Sequence, residues 1–199
     1  MDQIVLFGIL MVAFTSLIVI LNDKFSALSF LGLNLTIVAL LYTESDLISA
    51  AIKAVLGFLP PAIIIAATRR IEPTRPAFGK IAASIGIAVT VVLSYAVAYA
   101  IRGVFPEDRL LLSYFLVILF GLSILIIGSQ TTIFKLLFGV LVLENIGTLL
   151  LSWSYNSVLL TLVEEVFVVL IAVTFAVIAL LDFKEYGTID EKNLTRLRG

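Results

Sequence analysis

Charged side chains cut this sequence of 199 residues into long apolar runs, and the length of those runs limits the fold more than any other feature. A helix needs about 20 apolar residues to cross the hydrocarbon core of a bilayer. Residues 3–22, 25–43 and 81–101 are each free of charge and bounded by it. Residues 47–68 have the right length but contain Lys53 and the pair Pro60-Pro61. Proline removes backbone donors, so this run predicts a single broken or bent helix. Residues 110–128 form a fifth run, 131–153 a sixth containing Glu144, and 156–181 a long seventh containing Glu164 and Glu165. The alternation at period two that marks a membrane β-barrel is missing from runs such as 110–127, which are apolar on every side. The expected fold is therefore an all-α integral membrane bundle of seven transmembrane helices.

Composition narrows the chemistry. The chain is 61% hydrophobic and 14% charged, with a mean hydropathy of +1.19. That is more apolar surface than a soluble core can use. It has no cysteine and no histidine. Disulfides, thiolate or imidazole metal sites, histidine-ligated haem and Ser–His or Cys–His catalysis are excluded on that ground. A formal charge of −1 lacks the basic density that nucleic acid demands. Met1-Asp2 supplies no basic region ahead of the first run, which is expected to remain as a membrane span and not to be cleaved as a signal peptide.

The cations are distributed unevenly among the loops. Arg69, Arg70, Arg75 and Lys80 face one acid, Glu72, in the loop after the third span. By the positive-inside rule that loop is cytoplasmic. Threading seven spans through this point puts Lys24, Lys135, Lys184, Lys192, Arg196 and Arg198 on the same side. Asp2, Glu44, Asp46, Glu107 and Asp108 fall opposite, with Arg102 and Arg109. The N-terminus is expected outside and the C-terminus inside. The same loop divides an N-terminal three-helix block, residues 1–75, from a four-helix block, residues 76–199.

Ionisable groups within a span cost a few kcal/mol to insert and normally face protein or water. Four stand out: Lys53, Glu144, Glu164 and Glu165. Glu144 precedes the turn between the last two spans by roughly ten residues, and Glu165 follows it by a similar number. At about 1.5 Å per residue, both lie roughly 12–15 Å below the outer surface, with Lys53 at about 10 Å. Two readings follow. In one, Lys53 neutralises a glutamate and the set orients helices. In the other, buried carboxylates and a lysine exchange protons through water; one lysine cannot neutralise three acids, and static packing has cheaper options in Asn or Ser. Asn34, Asn145, Ser94, Tyr95 and Tyr99 either extend a hydrated path or make ordinary interhelical hydrogen bonds. Glu164 and Glu165 point about 100° apart on their helix, and spacing does not choose between them.

The stretch running from Ser129-Gln130-Thr131-Thr132 through Phe138-Gly139 to Glu144-Asn145 resembles the hydrogenase-4 component E family, as do the tail from Tyr186-Gly187 to Arg198-Gly199 and Lys53 followed by Pro60-Pro61. Residues 110–199 are also similar to the K subunit of respiratory complex I and the C subunit of multisubunit cation/proton antiporters. That family carries one glutamate on each of two successive helices; Glu144 and either Glu164 or Glu165 would be the counterparts. The resemblance implies a membrane-arm subunit of an energy-converting NiFe hydrogenase, of the formate hydrogenlyase kind, in a prokaryotic cell membrane. It implies antiporter-like and complex I H-like membrane partners and a peripheral NiFe hydrogenase module. The NiFe centre and Fe–S clusters would belong to those partners, leaving no cofactor and no catalytic centre in this chain. Lys53, Glu144, Glu164 and Glu165 would serve proton or sodium translocation. A structural anchor of the same complex and an independent small transporter are the alternatives; an intramembrane hydrolase lacks the histidine or cysteine it would use.

Overall fold

The computed structural model describes residues 2–44, 47–69, 71, 79–105, 107–129, 132–154, 158–187 and 189. Arg70, most of the basic loop that divides the two blocks, Gln130, Thr131 and the 190–199 tail lie outside the described residues. Every regular element among the described residues is helical: α1 Asp2–Ile20, α2 Asp23–Glu44, α3 Leu47–Leu56, α4 Leu59–Thr68, α5 Lys80–Ala100, α6 Leu110–Gly128, α7 Ile133–Ser154 and α8 Val158–Tyr186. Two single-turn 3-10 segments, Arg102–Val104 and Glu107–Arg109, join α5 to α6. Backbone groups in hydrocarbon must bond within their own segment, and only helices let such apolar runs do so without a sheet.

Among the described residues seven helical spans are long and apolar enough to cross a membrane, with α3 and α4 together making the third, Leu47–Thr68. The interruption in that span falls at Gly57 and Phe58 and not at the prolines themselves. Pro60 and Pro61 lack the N–H groups that would bond the carbonyls four residues back, those of Leu56 and Gly57. They sit instead in the first turn of α4, where helix N–H groups have no partner in any case.

α2 and α7 are the most enclosed helices and α5 the least. α2 packs against α1, α3, α4 and α7; α8 packs against α7, α3 and α4; α6 packs against α1, α5 and α7. The two sequence blocks are therefore interleaved along α1–α6, α2–α7 and the α3/α4–α8 seam. α5 rests on α6 and, more lightly, on α1. The approach to α6 is close, since a Cβ at Gly121 would collide with Ser94 Oγ. Ile81, Ile85 and Val92 on α5 and Leu159, Phe167 and Leu181 on α8 are exposed, as side chains facing lipid should be.

The buried face of α8 reads Thr161, Glu165, Val168, Ala172, Ala176, Ala179 and Asp182, a spacing of three and four that forms one helical stripe. Glu165 lies on that stripe, which turns it towards α3 and α7.

Candidate functional site: a buried lysine between carboxylates

Lys53 and Glu165 are enclosed, with 1% and 0% of the side chain exposed, and Glu144 is 12% exposed. Three helices meet here. Lys53 in the last turn of α3 donates from Nζ to Glu144 Oε1 at 3.1 Å and Oε2 at 3.2 Å. On its other side Nζ lies 2.5 Å from Glu165 Oε1. The Glu165 contact is an ion pair, and no other side chain bonds either Glu165 oxygen. Thr148, one turn along α7, donates to Glu144 Oε1 at 2.9 Å. One ammonium thus faces two carboxylates from different helices.

Glu164 takes a different position. It is half-buried beside α7, where Gly147 makes room for it; a Cβ at residue 147 would stand 3.2 Å from Glu164 Oε1. Its Oε2 is buried without a hydrogen-bond partner. Geometry distinguishes the two: Glu165 contacts Lys53, and Glu164 borders the pair from the α7–α8 seam.

Two asparagines join the site, and three other polar residues do not. Asn34 on α2 donates from Nδ2 to the carbonyl of Gly57 at 2.5 Å, and Asn145 on α7 donates from Nδ2 to Asn34 Oδ1 at 3.0 Å. Ser94, Tyr95 and Tyr99 lie on α5, which does not pack against α3, α7 or α8 in any extended way. Tyr95 is 54% exposed and stacks with Tyr114, and Tyr99 lies under the Arg102 guanidinium.

A second buried polar cluster escaped sequence reasoning. Lys135 counts in the sequence only as a cation on the cytoplasmic side, but it lies in the first turn of α7 and is 3% exposed. Its Nζ donates to Leu21 O at 2.6 Å, to Ser26 Oγ at 2.8 Å and to Ile18 O. Those carbonyls end α1, where the helix dipole favours a cation. Thr132 accepts the Lys135 backbone N–H at 3.1 Å and donates to Asp23 Oδ1 at 2.9 Å. The available signal was the Thr132-x-x-Lys135 spacing at a helix start; the partner carbonyls, more than 100 residues away, left no trace in the sequence. Between the two clusters Phe30 and Phe138 pack with ring centroids 6.0 Å apart. The carboxylate layer is thereby separated from the Lys135 end of the bundle by apolar packing.

The fold and the site together define a polytopic helical membrane protein with an acid-rich lysine–carboxylate cluster inside its bundle. No family model, no curated protein and no solved structure matches the chain.

Proposed function

We propose that this chain is a membrane-arm subunit of an energy-converting NiFe hydrogenase complex of the formate hydrogenlyase kind, in a prokaryotic cell membrane. In this reading Lys53, Glu144, Glu164 and Glu165 carry protons or sodium ions. The observation behind it is the placement of Lys53 Nζ between Glu144 and Glu165, with Glu164 alongside. Two carboxyl groups face one ammonium and a third lies beside them, in a setting where each unpaired charge is costly, so at least part of the acid excess must be balanced by protons or a second cation. The resemblance of the Ser129-to-Asn145 stretch and of Lys53 with Pro60-Pro61 to hydrogenase-4 component E supplies the complex. The N-terminus would face outward and the C-terminus the cytoplasm. Nickel, iron–sulfur clusters and hydrogen chemistry would reside in partner subunits, with antiporter-like and complex I H-like proteins beside this one in the membrane.

The test is purification from the native membrane together with transport in vesicles. The reading expects a NiFe hydrogenase module and antiporter-like subunits to accompany the chain, and expects Glu144→Gln to leave the complex assembled while slowing coupled ion transport. Normal transport by both Glu144→Gln and the double change Glu164→Gln/Glu165→Gln would leave the cluster as a structural ion pair.

A further inference from the structure

The Lys53–Glu144 pair is not explained by packing between the helices that carry it. α3 packs against α2 and α8 and has no extended contact with α7. Lys53 thus meets Glu165 across a direct helix interface, whereas Glu144 lies on a helix that α3 joins through α2 and α8, which pack against both. On the α2 side, a pair of asparagine side chains connects the α3–α4 break to α7 at that level.

Their orientation can be deduced. The Gly57 carbonyl can only accept, and the residue whose N–H would serve it in a continuous helix is Pro61, which has none. Asn34 must therefore turn its Nδ2 to Gly57, at 2.5 Å. Its Oδ1 then faces α7 and requires a donor, which is Asn145 Nδ2 at 3.0 Å. The chain of donation runs from Asn145 through Asn34 to the Gly57 carbonyl and leaves Asn145 Oδ1 buried without a partner. Each end adjoins the ion pair. The Gly57 N–H closes on the Lys53 carbonyl at 2.9 Å, and Asn145 is the residue after Glu144. The break itself favours glycine at position 57, since a Cβ there would lie 2.5 Å from the Lys53 carbonyl.

We infer that Asn34 and Asn145 are positioning residues, forming an amide bridge from the α3–α4 break to α7 that sets Lys53 against Glu144. The bridge uses the carbonyl left open by Pro61 as its anchor, so the helix break and the ion pair are parts of one device. Lys53–Glu165 contact does not depend on it, because α3 packs on α8 directly. The geometry of the bridge stands by itself; its importance for transport rests on the function proposed above.

The test is solid-state NMR of the full-length chain in lipid bilayers, labelled with 15Nζ-lysine and 13Cδ-glutamate. Lys53→Met, Glu144→Gln and Glu165→Gln assign the two Lys53–carboxyl dipolar contacts. In Asn34→Leu the Lys53–Glu144 contact should be lost while Lys53–Glu165 is retained. Asn145→Leu, which leaves both Asn34 and Gly57 in place, should give the same selective loss and decides the matter if the first variant does not fold. Persistence of the Glu144 contact, or joint loss of both contacts, would overturn the bridge, the latter by showing general loosening of the bundle. Selective loss of the contact with unchanged transport in vesicles of the native complex would uphold the bridge and remove the Lys53–Glu144 pair from the transport path.

Discussion

Replacing Lys53 by Met removes the cation from a site that retains two buried acids, so its effect should exceed that of removing either acid. Breaking a buried ion pair by deleting one partner costs about 3–5 kcal/mol, because the other charge is left unpaired. Protonation limits that cost: neutralising a carboxyl of ordinary pKa at pH 7 takes about 3.7 kcal/mol. Glu144→Gln is milder. Lys53 keeps Glu165 at 2.5 Å, and the loss is that of charge-assisted hydrogen bonds, about 1.5–3 kcal/mol. In the double variant Lys53→Met/Glu144→Gln one buried acid remains in the pair, which a single proton neutralises, so the whole change should cost at most about 3.7 kcal/mol. The double variant should therefore cost less than the sum of the singles, which is at least about 4.5 kcal/mol, by at least about 0.8 kcal/mol. Unfolding of the full chain in lipid nanodiscs at pH 7 measures the stability cycle, and coupled transport in vesicles should show the same non-additivity. Strict additivity of both quantities would show that Lys53 and Glu144 do not share a site.

Other consequences can be checked separately. In sealed cells, single cysteines introduced at Arg70 or Arg196 should resist labelling from outside; an outward-accessible cysteine at either would overturn the proposed topology, and the absence of native cysteine keeps the background clean. The isolated chain reconstituted in liposomes should not transport ions, and transport by it would favour the independent transporter. Lys135→Met should lower stability by about 2–4 kcal/mol, since it leaves the Ile18 and Leu21 carbonyls at the end of α1 without their cation, while the Lys53–Glu144 coupling is preserved. Loss of that coupling in Lys135→Met would mean that the two clusters are not insulated by the Phe30–Phe138 packing.

The spans were legible because the bilayer imposes one simple rule, length of apolar run, and charges such as Asp23, Lys24, Lys80 and Arg102 mark the limits. Depth was legible for the same reason. Counting residues from the turn between α7 and α8 placed Glu144 and Glu165 at one level, and the structure joins both to Lys53. Facing was not legible. α7 and α8 are apolar nearly all round, so no amphipathic stripe indicated which of Glu164 and Glu165 turns inward, and α5 carried three polar candidates to a face remote from the site. The helix break illustrates the same limit. Pro60-Pro61 announced an interruption, but which carbonyl it would open, and that Asn34 from another helix would fill it, depended on α2 lying alongside.

The two buried lysines show why burial of a charge does not by itself define its role. Lys135 directs its ammonium at two carbonyls and a hydroxyl, neutral acceptors that accept its protons' hydrogen bonds whatever the state of any acid nearby. Such an ammonium is held by the end of a helix and has a clear structural use, since it ties the start of α7 to the α1–α2 turn. Lys53 directs its ammonium at Glu144 and Glu165, whose own charge can change, and has Glu164 behind them. Protonating either partner weakens its attraction to Lys53 and shifts the balance towards the other, so the position of the ammonium is coupled to the charge of the acids. A lysine used only to hold helices together would gain nothing from a third carboxylate. The excess acid, placed where water and lipid supply little compensation, is what separates this cluster from the cap at Lys135, and it is the ground on which ion transport is proposed for it.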